Sequence, residues 1–317
     1  MNIHRTLPRI YGLLVAQVNA ALPCNYSVRL QHNKADASEH RAKVMARGLP
    51  DKKPLPGVKN IILVASGKGG VGKTTTAVNL ACAMKVIEPD KEIGLLDADV
   101  FGPSVPLMMN ISGEPMLNDD NLIEPLLNYG VKCMSMGLLV SGENAVVWRG
   151  LMVMQALDRL TRHVAWGPLD CLVVDTPPGT GDTHLSLAQN LPIDGAIVVT
   201  TPQSAALQVT KRGVNMFEKL KVPIIGMVEN MSHAICHKCG TKNYVFGNET
   251  KQAADQMGLE IIESFEVDSN MSECINSGKP AIYALPDSIH AEKYRHLANK
   301  VFKYISDKEE QAKATKQ

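Results

Sequence analysis

The chain has 317 residues, with 33 basic and 32 acidic side chains and a formal net charge of +1. This balance gives no electrostatic argument for binding nucleic acid, so we expect no nucleic-acid partner. No apolar run approaches the roughly 18 residues that a helix needs to cross a bilayer. The length is sufficient for one large α/β core.

The amino-terminal segment differs in composition from the rest of the chain. Residues 1–35 contain no Asp or Glu, and Arg and Lys occur there among apolar and amide side chains. This composition is typical of a mitochondrial transit peptide. The alternative is a secretory signal with an apolar stretch at 10–22, although Gln17 and Asn19 interrupt that stretch. We expect import into the mitochondrial matrix, then a linker over 36–56 and a folded domain over 57–306.

Residues 67–75 form the most informative motif, Gly-Lys-Gly-Gly-Val-Gly-Lys-Thr-Thr, which fits the phosphate-loop pattern G-x-x-x-x-G-K-[ST]. The motif lies between a predicted strand, Ile61–Ser66, and a predicted helix, Thr74–Met84. Glycines allow backbone N–H groups to surround phosphate oxygens, while Lys73 reaches the β- and γ-phosphates and Thr74 ligates Mg²⁺. The expected nucleotide-binding residues are Gly67, Lys68, Gly69, Gly70, Val71, Gly72, Lys73, Thr74 and Thr75.

A second lysine, Lys68, follows the first glycine of this loop. The arrangement resembles the deviant phosphate loop of the MinD, ParA and nitrogenase iron-protein class. In that class the extra lysine reaches the nucleotide of the partner subunit, so the resemblance implies an ATP-dependent homodimer with Lys68 and Lys73 as catalytic cations. A cation delivered in trans stabilises charge on the transferring phosphoryl group, as an arginine finger does. The alternative is a solvated loop lysine.

The next predicted strand, Ile93–Asp97, ends in two carboxylates separated by one residue. Adjacent acids at a strand end can divide the tasks of holding a metal and orienting a nucleophile. Asp97 is therefore the candidate for the Mg²⁺ shell, and Asp99 is the candidate that positions the attacking water. The alternative is an Asp turn or a helix cap before Pro103.

A later predicted strand, Cys171–Asp175, also ends in an acid and is followed by Thr-Pro-Pro-Gly-Thr-Gly. Asp175 fits a Walker B position near Mg²⁺. Gly179 or Gly181 can bring a backbone N–H to the γ-phosphate and relax after hydrolysis, as switch loops do. Asp182 has two alternatives, a catalytic role and the cap of the next helix.

Asn230 follows the predicted strand Pro223–Glu229. Its amide offers a donor and an acceptor, so it is the candidate that binds the adenine edge, and an Asn turn is the alternative. Six residues later comes the C-x-x-C pair, Cys236 and Cys239. Two thiolates cannot complete a four-coordinate site, so a symmetric homodimer would supply the other two. A [4Fe–4S] cluster and a zinc ion both fit this geometry, and a redox dithiol is a third alternative.

Apolar runs alternate with helix-like segments along the rest of the chain. This alternation predicts an α/β fold with a doubly wound, mainly parallel sheet and helices on both faces. Ligands of such sheets bind at the carboxyl ends of the strands, where the acids above lie. Residues 307–317 are charged and are predicted to be disordered. The other predicted elements are strands Val131–Met136, Gly195–Thr200 and Leu259–Ser264, and helices Leu151–His163, Thr183–Asn190, Ser204–Leu220, Glu249–Gly258 and His290–Ile305.

Taken together and in this order, the phosphate loop, 97–104, 175–182, 229–232 and the cysteine pair resemble the Mrp/ApbC family of P-loop iron–sulfur carrier proteins. The acid-poor leader is most similar to the mitochondrial members, which are implicated in assembling respiratory complex I. The resemblance implies a homodimer that binds ATP and a [4Fe–4S] cluster through Cys236 and Cys239. It also implies apo iron–sulfur proteins, complex I subunits among them, as recipients. We expect slow ATP hydrolysis, because conformational steps set the rate of such switches.

Two other functions share these motifs. A positioning ATPase of the MinD or ParA type would use a membrane-binding helix or a basic surface. The last predicted helix does carry an apolar stripe, which would allow weak membrane association, although such a stripe is more typical of core packing. An ATP-gated reductase would use the bridging cluster for electron transfer and would not release it.

Overall fold

The computed structural model describes residues 52–139, 150–179, 181–236 and 238–314. The predicted transit peptide over 1–35 and the linker as far as residue 51 lie outside the described residues. The domain boundaries predicted from the sequence therefore stay predictions. In the part of the chain that is described, no helix is long and apolar enough to cross a membrane.

The strands follow the sequence pattern closely. They are β1 Val58–Ser66, β2 Ile93–Asp97, β3 Leu126–Asn128, β4 Val131–Ser135, β5 Leu169–Asp175, β6 Gly195–Thr200, β7 Ile224–Glu229, β8 Ala234–Ile235, β9 Lys242–Asn243 and β10 Ile261–Ser264. Within the described residues, eight of them form one sheet in the order β10-β7-β6-β1-β5-β2-β4-β3. Every neighbouring pair is parallel except β3 with β4. The predicted doubly wound α/β fold is confirmed.

Helices connect the strands and cover the sheet. They are α1 Lys73–Ile87, α2 Val105–Met108, α3 Gly150–Arg162, α4 Asp182–Asn190, α5 Ser204–Lys219, α6 Thr250–Met257, α7 Ser269–Asn276, α8 Ala281–Ala284 and α9 Ile289–Ala314. The single turn α2 and the short helices α7 and α8 had no counterpart among the predicted elements, and neither had β3, β8 and β9.

The central strand β1 shows how the core is divided between the two faces of the sheet. Successive side chains of a strand point to opposite faces. Accordingly, Ile62 and Val64 belong to one buried cluster with helices α1 and α9. Ile61 and Leu63 belong to a second cluster on the other face, with helix α5. Burial on both faces explains why these strands are continuous apolar runs.

Helix α9 corrects two expectations. The structure continues this helix to Ala314, so the predicted disorder of the tail is wrong for residues 307–314, while 315–317 lie outside the described residues. The apolar stripe of the helix, with Tyr294, Leu297 and Val301, is buried in the core. The stripe is therefore used for packing and is not free to bind a membrane.

Candidate functional site

The ends of three neighbouring strands bring the predicted acids together. In the parallel pairs, Asp175 of β5 is in register with Val64 of β1 and with Asp97 of β2. The loop over residues 67–72 follows β1 directly and leads into helix α1. Gly70 and Gly72 adopt left-handed backbone conformations, with φ of 77° and 87°, which glycine tolerates without strain.

Lys73, Thr74 and Asp175 form a closed group at the base of the loop. Lys73 Nζ donates to Asp175 Oδ1 at 2.6 Å, and Thr74 Oγ1 donates to Asp175 Oδ2 at 2.6 Å. Both members of the ion pair are buried. Burial raises the pKa of Asp175, and the Lys73 ammonium opposes that rise. The group has the cation, hydroxyl and carboxylate that a Mg²⁺–nucleotide site requires.

Asp97 and Asp99 have different surroundings. Asp97 is fully buried and accepts hydrogen bonds from Ser135 Oγ at 2.9 Å and from the backbone N–H groups of Val105 and Asp99. Burial, together with the nearby Asp175 carboxylate, raises the pKa of Asp97 to about 7. Asp99 is only half-buried and lines the cleft beside the loop. The roles proposed for the two acids in the metal shell and in positioning water stay predictions.

A cleft of about 380 Å³ lies over the phosphate loop. Its lining includes Lys68, Lys73, Thr74, Asp99, Pro178 and Met231. The space above the loop is open, since a Cβ placed on Gly70 would meet nothing within 4 Å. A second cavity, between helices α5 and α6, contains none of the predicted site residues. The loop cleft is therefore the part of the described chain that best suits a nucleotide with its metal.

Three further predicted residues lie around this cleft. Lys68 is exposed, and its Nζ donates to Gln203 Oε1 at 3.0 Å. The backbone N–H of Gly179 donates to Ser66 O at 2.9 Å, so in this structure it is bonded to the end of β1. Asn230 Nδ2 donates to Val71 O at 2.8 Å, within the phosphate loop itself. Their contacts with γ-phosphate, partner nucleotide and adenine stay predictions.

The cysteine pair lies at the tip of a small hairpin. Strands β8 and β9 pair antiparallel, and Cys236 N donates to Thr241 O at 3.0 Å, which closes the turn. Both Cys236 and Cys239 are exposed. The hydrogen bond of 3.3 Å between Cys239 Sγ and Thr241 Oγ1 lowers the pKa of the Cys239 thiol, which favours the thiolate form that binds metals. No group of three or more potential metal ligands exists among the described residues.

A comparison with known families decides the classification. The profile described as "ParA: NUBPL iron-transfer P-loop NTPase" matches residues 57–302. The chain belongs to this family. NUBPL-type relatives are similar to this chain over most of their length. The iron-sulfur cluster transfer protein NUBPL of Mus musculus is 48% identical over 273 residues, which cover 86% of each chain. The iron-sulfur protein required for NADH dehydrogenase, mitochondrial, of Arabidopsis thaliana is 50% identical over 254 residues, covering 80% of this chain and 81% of the relative.

Solved structures support the same fold for this NUBPL-type NTPase. A nucleotide-binding protein of Archaeoglobus fulgidus in complex with ADP is 34% identical, with a TM-score of 0.61 over 70% of this chain and 88% of the other. The cell division ATPase MinD of Pyrococcus furiosus has a TM-score of 0.58 over 77% of this chain and 98% of the other, at 21% identity. The second similarity concerns the P-loop NTPase fold alone.

Two features of the NUBPL-type site were not predicted from the sequence. Ser135, at the end of β4, donates to Asp97 and so fixes the orientation of that carboxylate. His184, on α4, is buried, and its Nε2 lies 3.1 Å from Oγ1 of Thr176, the residue that follows Asp175. The sequence signals for Ser135 were its place near the end of a predicted strand and the run Met134–Gly137, which resembles the Mrp/ApbC family. His184 had no signal beyond its position in a predicted helix.

Proposed function

We propose that this protein is an ATP-dependent iron–sulfur carrier that binds a [4Fe–4S] cluster across a homodimer and transfers it to apo-proteins. The observation that carries the proposal is the exposed Cys236/Cys239 hairpin on a P-loop NTPase fold. The names of the mouse and Arabidopsis relatives support iron–sulfur transfer and, through NADH dehydrogenase, recipients in respiratory complex I. The mitochondrial matrix is the proposed location, in agreement with the composition of residues 1–35.

The ligand count favours a cluster shared between two subunits. The hairpin offers two thiolates, and the described residues include no third ligand near them. A four-thiolate cluster therefore needs a second copy of the chain on a twofold axis. Large apolar side chains next to the hairpin are exposed and suit burial against such a partner. They are Ile235, Tyr244, Val245, Phe246 and Val267.

Release of the cluster is an exchange of thiolate ligands. Each bond from iron to Cys236 or Cys239 breaks as a bond from iron to a recipient thiolate forms. The recipient thiol gives up its proton, and the freed carrier thiolate takes one up, so no electron is transferred. The exposure of both cysteines allows a recipient thiol to approach them.

The nucleotide site would control this exchange. Lys73 would bind phosphate oxygens, and Thr74 and Asp175 would hold Mg²⁺, which supplies charge neutralisation when bound. Because Lys73 and Thr74 both bond to Asp175 in the structure, nucleotide and metal must compete with these bonds. We propose Lys68 as the cation that acts across the dimer, and slow hydrolysis of ATP as the step that resets the carrier.

The deciding experiment is anaerobic reconstitution of the protein without its first 35 residues. We expect about two irons and two sulfides per monomer, in a dimer, together with Fe–S charge-transfer absorbance. Cys236→Ala should lose the cluster while ATP binding remains. Cys274→Ala, which removes a buried thiol of helix α7, should keep the iron content of the unsubstituted protein. Zinc at about half an ion per monomer without iron uptake would contradict the carrier function.

A further inference from the structure

We propose that Asn230 and the segment 230–236 form the mechanical connection through which the phosphate loop controls the cysteine hairpin. The inference rests on the proposed carrier function and adds the residues that join its two sites. Asn230 is here a positioning residue, since it acts on the cluster through the backbone that leads to Cys236. Four sets of contacts support this connection.

The first contact fixes Asn230 to the loop. Its Nδ2 donates to Val71 O at 2.8 Å. The packing is close, because a Cβ built on Gly72 would lie 2.1 Å from the same nitrogen. The backbone N–H of Asn230 donates to Thr200 O, so the residue is also tied to the end of β6. A change in the conformation of Val71 or Gly72 on nucleotide binding must therefore move or release the Asn230 side chain.

The segment after Asn230 is held firmly at the base of the hairpin. Met231 has a left-handed backbone with φ of 57°, which turns the chain out of the sheet. Ser232 N and Oγ both donate to Phe265 O, at 2.8 and 3.0 Å. Val267 N donates to His233 O, and Ala234 forms an isolated bridge with Val267. The path from Asn230 to the first strand of the hairpin thus contains no free loop that would absorb a movement.

A second route leads from the loop to the same base. Thr76 Oγ1 donates to Gly72 O at 2.9 Å. Burial raises the pKa of the Tyr294 hydroxyl on helix α9, and the nearby Thr76 side chain opposes that rise. The Tyr294 ring stacks on Phe265 with 4.4 Å between centroids. Phe265 is the residue whose carbonyl holds Ser232. The two routes begin at adjacent residues of the phosphate loop and end on adjacent parts of the hairpin base.

The hairpin itself is small and is closed by its own hydrogen bonds. Cys236 N donates to Thr241 O, and Gly240 N donates to Cys236 O. Since these bonds hold both cysteines in one turn, a displacement at the base would move the two thiolates together. In a cluster shared between subunits, such a displacement would change the distance between the two thiolate pairs and therefore the affinity for the cluster.

The test measures the coupling between the two sites. Linkage requires that the cluster change the affinity for ATP by the same factor by which ATP changes the affinity for the cluster. ATP affinity is measured for the cluster-free and cluster-loaded dimer, with Mg²⁺, and the ratio of the two dissociation constants is the coupling factor. We expect a factor of at least about fivefold for the unsubstituted protein. In Asn230→Ala this coupling factor should fall to within about twofold of 1. A loss of ATP affinity that is equal in the cluster-free and cluster-loaded forms does not affect the ratio.

Matched variants keep the test decisive. Tyr294→Phe removes only the hydroxyl near Thr76 and should also reduce the coupling factor, so the proposal stays testable if Asn230→Ala does not fold. Two control variants each lose a side-chain hydrogen bond to a backbone carbonyl elsewhere and should leave the coupling factor unchanged. They are Asn60→Ala, which loses its bond to Asp170 O, and Tyr304→Phe, which loses its bond to Asp194 O.

The outcomes separate this inference from the carrier function. A reduced factor in Asn230→Ala and Tyr294→Phe, with unchanged controls, supports the connection. An unchanged factor in both variants, or a factor of one in the unsubstituted protein, overturns the connection while the carrier function stands. A protein that binds no iron–sulfur cluster overturns both.

Discussion

At the scale of single residues, Lys73 has two tasks. The motif predicts it as the phosphate ligand, and the structure shows it as the counter-ion of the fully buried Asp175. Removal of one partner from a buried ion pair is costly because the other charge is left without compensation. The same substitution should therefore affect both nucleotide binding and stability.

Lys73→Ala is expected to abolish ATP binding and to lower the free energy of unfolding by about 3 kcal/mol. Calorimetric titration with ATP and denaturant unfolding of the nucleotide-free protein measure the two effects. Lys59→Ala is the control, since Lys59 pairs with Asp170 at the surface at the same distance of 2.6 Å. It should bind ATP normally and change stability little. Equal stability of the two variants would contradict the structural role of Lys73.

His184 shows a second residue-scale effect, which concerns its tautomer. The single hydroxyl proton of Thr176 is donated to Val64 O at 3.1 Å, so His184 Nε2 must donate to Thr176 Oγ1. Its Nδ1 is buried and has no hydrogen-bond partner among the described residues. Burial, followed by the charge of Lys73, lowers the pKa of His184 to about 4. The ring is therefore neutral at physiological pH.

The lowered pKa of His184 makes the folded protein less stable as the pH falls. Below about pH 6.5 the histidine is protonated in the unfolded state but stays neutral in the folded state. The free energy of unfolding therefore decreases as the pH falls from about 6.5 towards 4. Between pH 7 and 5 this loss amounts to about 2 kcal/mol. His184→Gln, which does not titrate, should lose about that much less over the same range in denaturant unfolding. Parallel pH profiles of the two proteins would show that the ring is not held neutral.

Single residues also show which parts of the site can be predicted from the sequence. Gly72, Lys73 and Thr74 were located because motif spacing defines them within one loop. Ser135 and His184 reach the site only through the register of β4 beside β2 and through the packing of α4, which no local pattern encodes. The contact of Asn230 with the loop was equally invisible, because it joins residues 159 positions apart.

At the scale of elements, Gly67 determines how the phosphate loop packs on helix α5. A Cβ on Gly67 would lie 2.7 Å from backbone atoms of Val209 and Thr210. Helix backbone cannot yield as a flexible side chain can. By contrast, the nearest atoms to a Cβ on Gly69 are those of Pro178, at 3.9 and 4.0 Å.

Gly67→Ala is therefore expected to displace helix α5 or the loop, to weaken ATP binding at least about tenfold, and to cost about 1–3 kcal/mol of stability. Gly69→Ala adds the same methyl group two residues later and should fold and bind ATP almost normally. Nucleotide titration and thermal melting of both variants give the comparison. Similar losses of ATP affinity and stability in the two variants would contradict this explanation. They would show that the loop tolerates no added methyl group, whether or not it contacts the helix.

The long elements were predicted well because strands buried on both faces and helices of several turns carry strong patterns. The predicted strand Ile93–Asp97 matches β2 at both ends. The two-residue strands of the cysteine hairpin are too short to show any alternation. Helix α7 is mostly polar, and its one signal was Asp268, whose side chain accepts from Asn270 N as a helix cap does. The charged end of α9 lacks large apolar residues, so its composition suggested disorder.

At the scale of the whole molecule, Lys68 is free to act outside its own subunit. The side chain is exposed, and its one described partner is the amide oxygen of Gln203. Such a bond is easily exchanged for a phosphate of a partner subunit. A homodimer formed through this contact would exist only when ATP is bound.

Lys68→Ala should bind ATP as a monomer but lose ATP-dependent dimerisation and hydrolysis. Light scattering with and without Mg²⁺–ATP, together with a phosphate-release assay, measures these effects. Gln203→Ala removes the partner within the same subunit and leaves Lys68 in place, so it should dimerise at least as well as the unsubstituted protein. If Gln203→Ala fails to dimerise like Lys68→Ala, the lysine supports its own loop and does not act across the dimer.

The central position of β1 also determines when the nucleotide site can form during folding. This strand pairs with β5 on one side and β6 on the other, and side-chain hydrogen bonds across these pairings join residues 111 and 133 positions apart. Contacts so distant in sequence form slowly, because the entropy of closing long loops is lost before they are gained. A chain that is still being synthesised therefore lacks one of the two strands beside β1 until β6 has appeared. Nucleotide binding can thus serve as a reporter of late folding, and fragments that end before β6 should bind none.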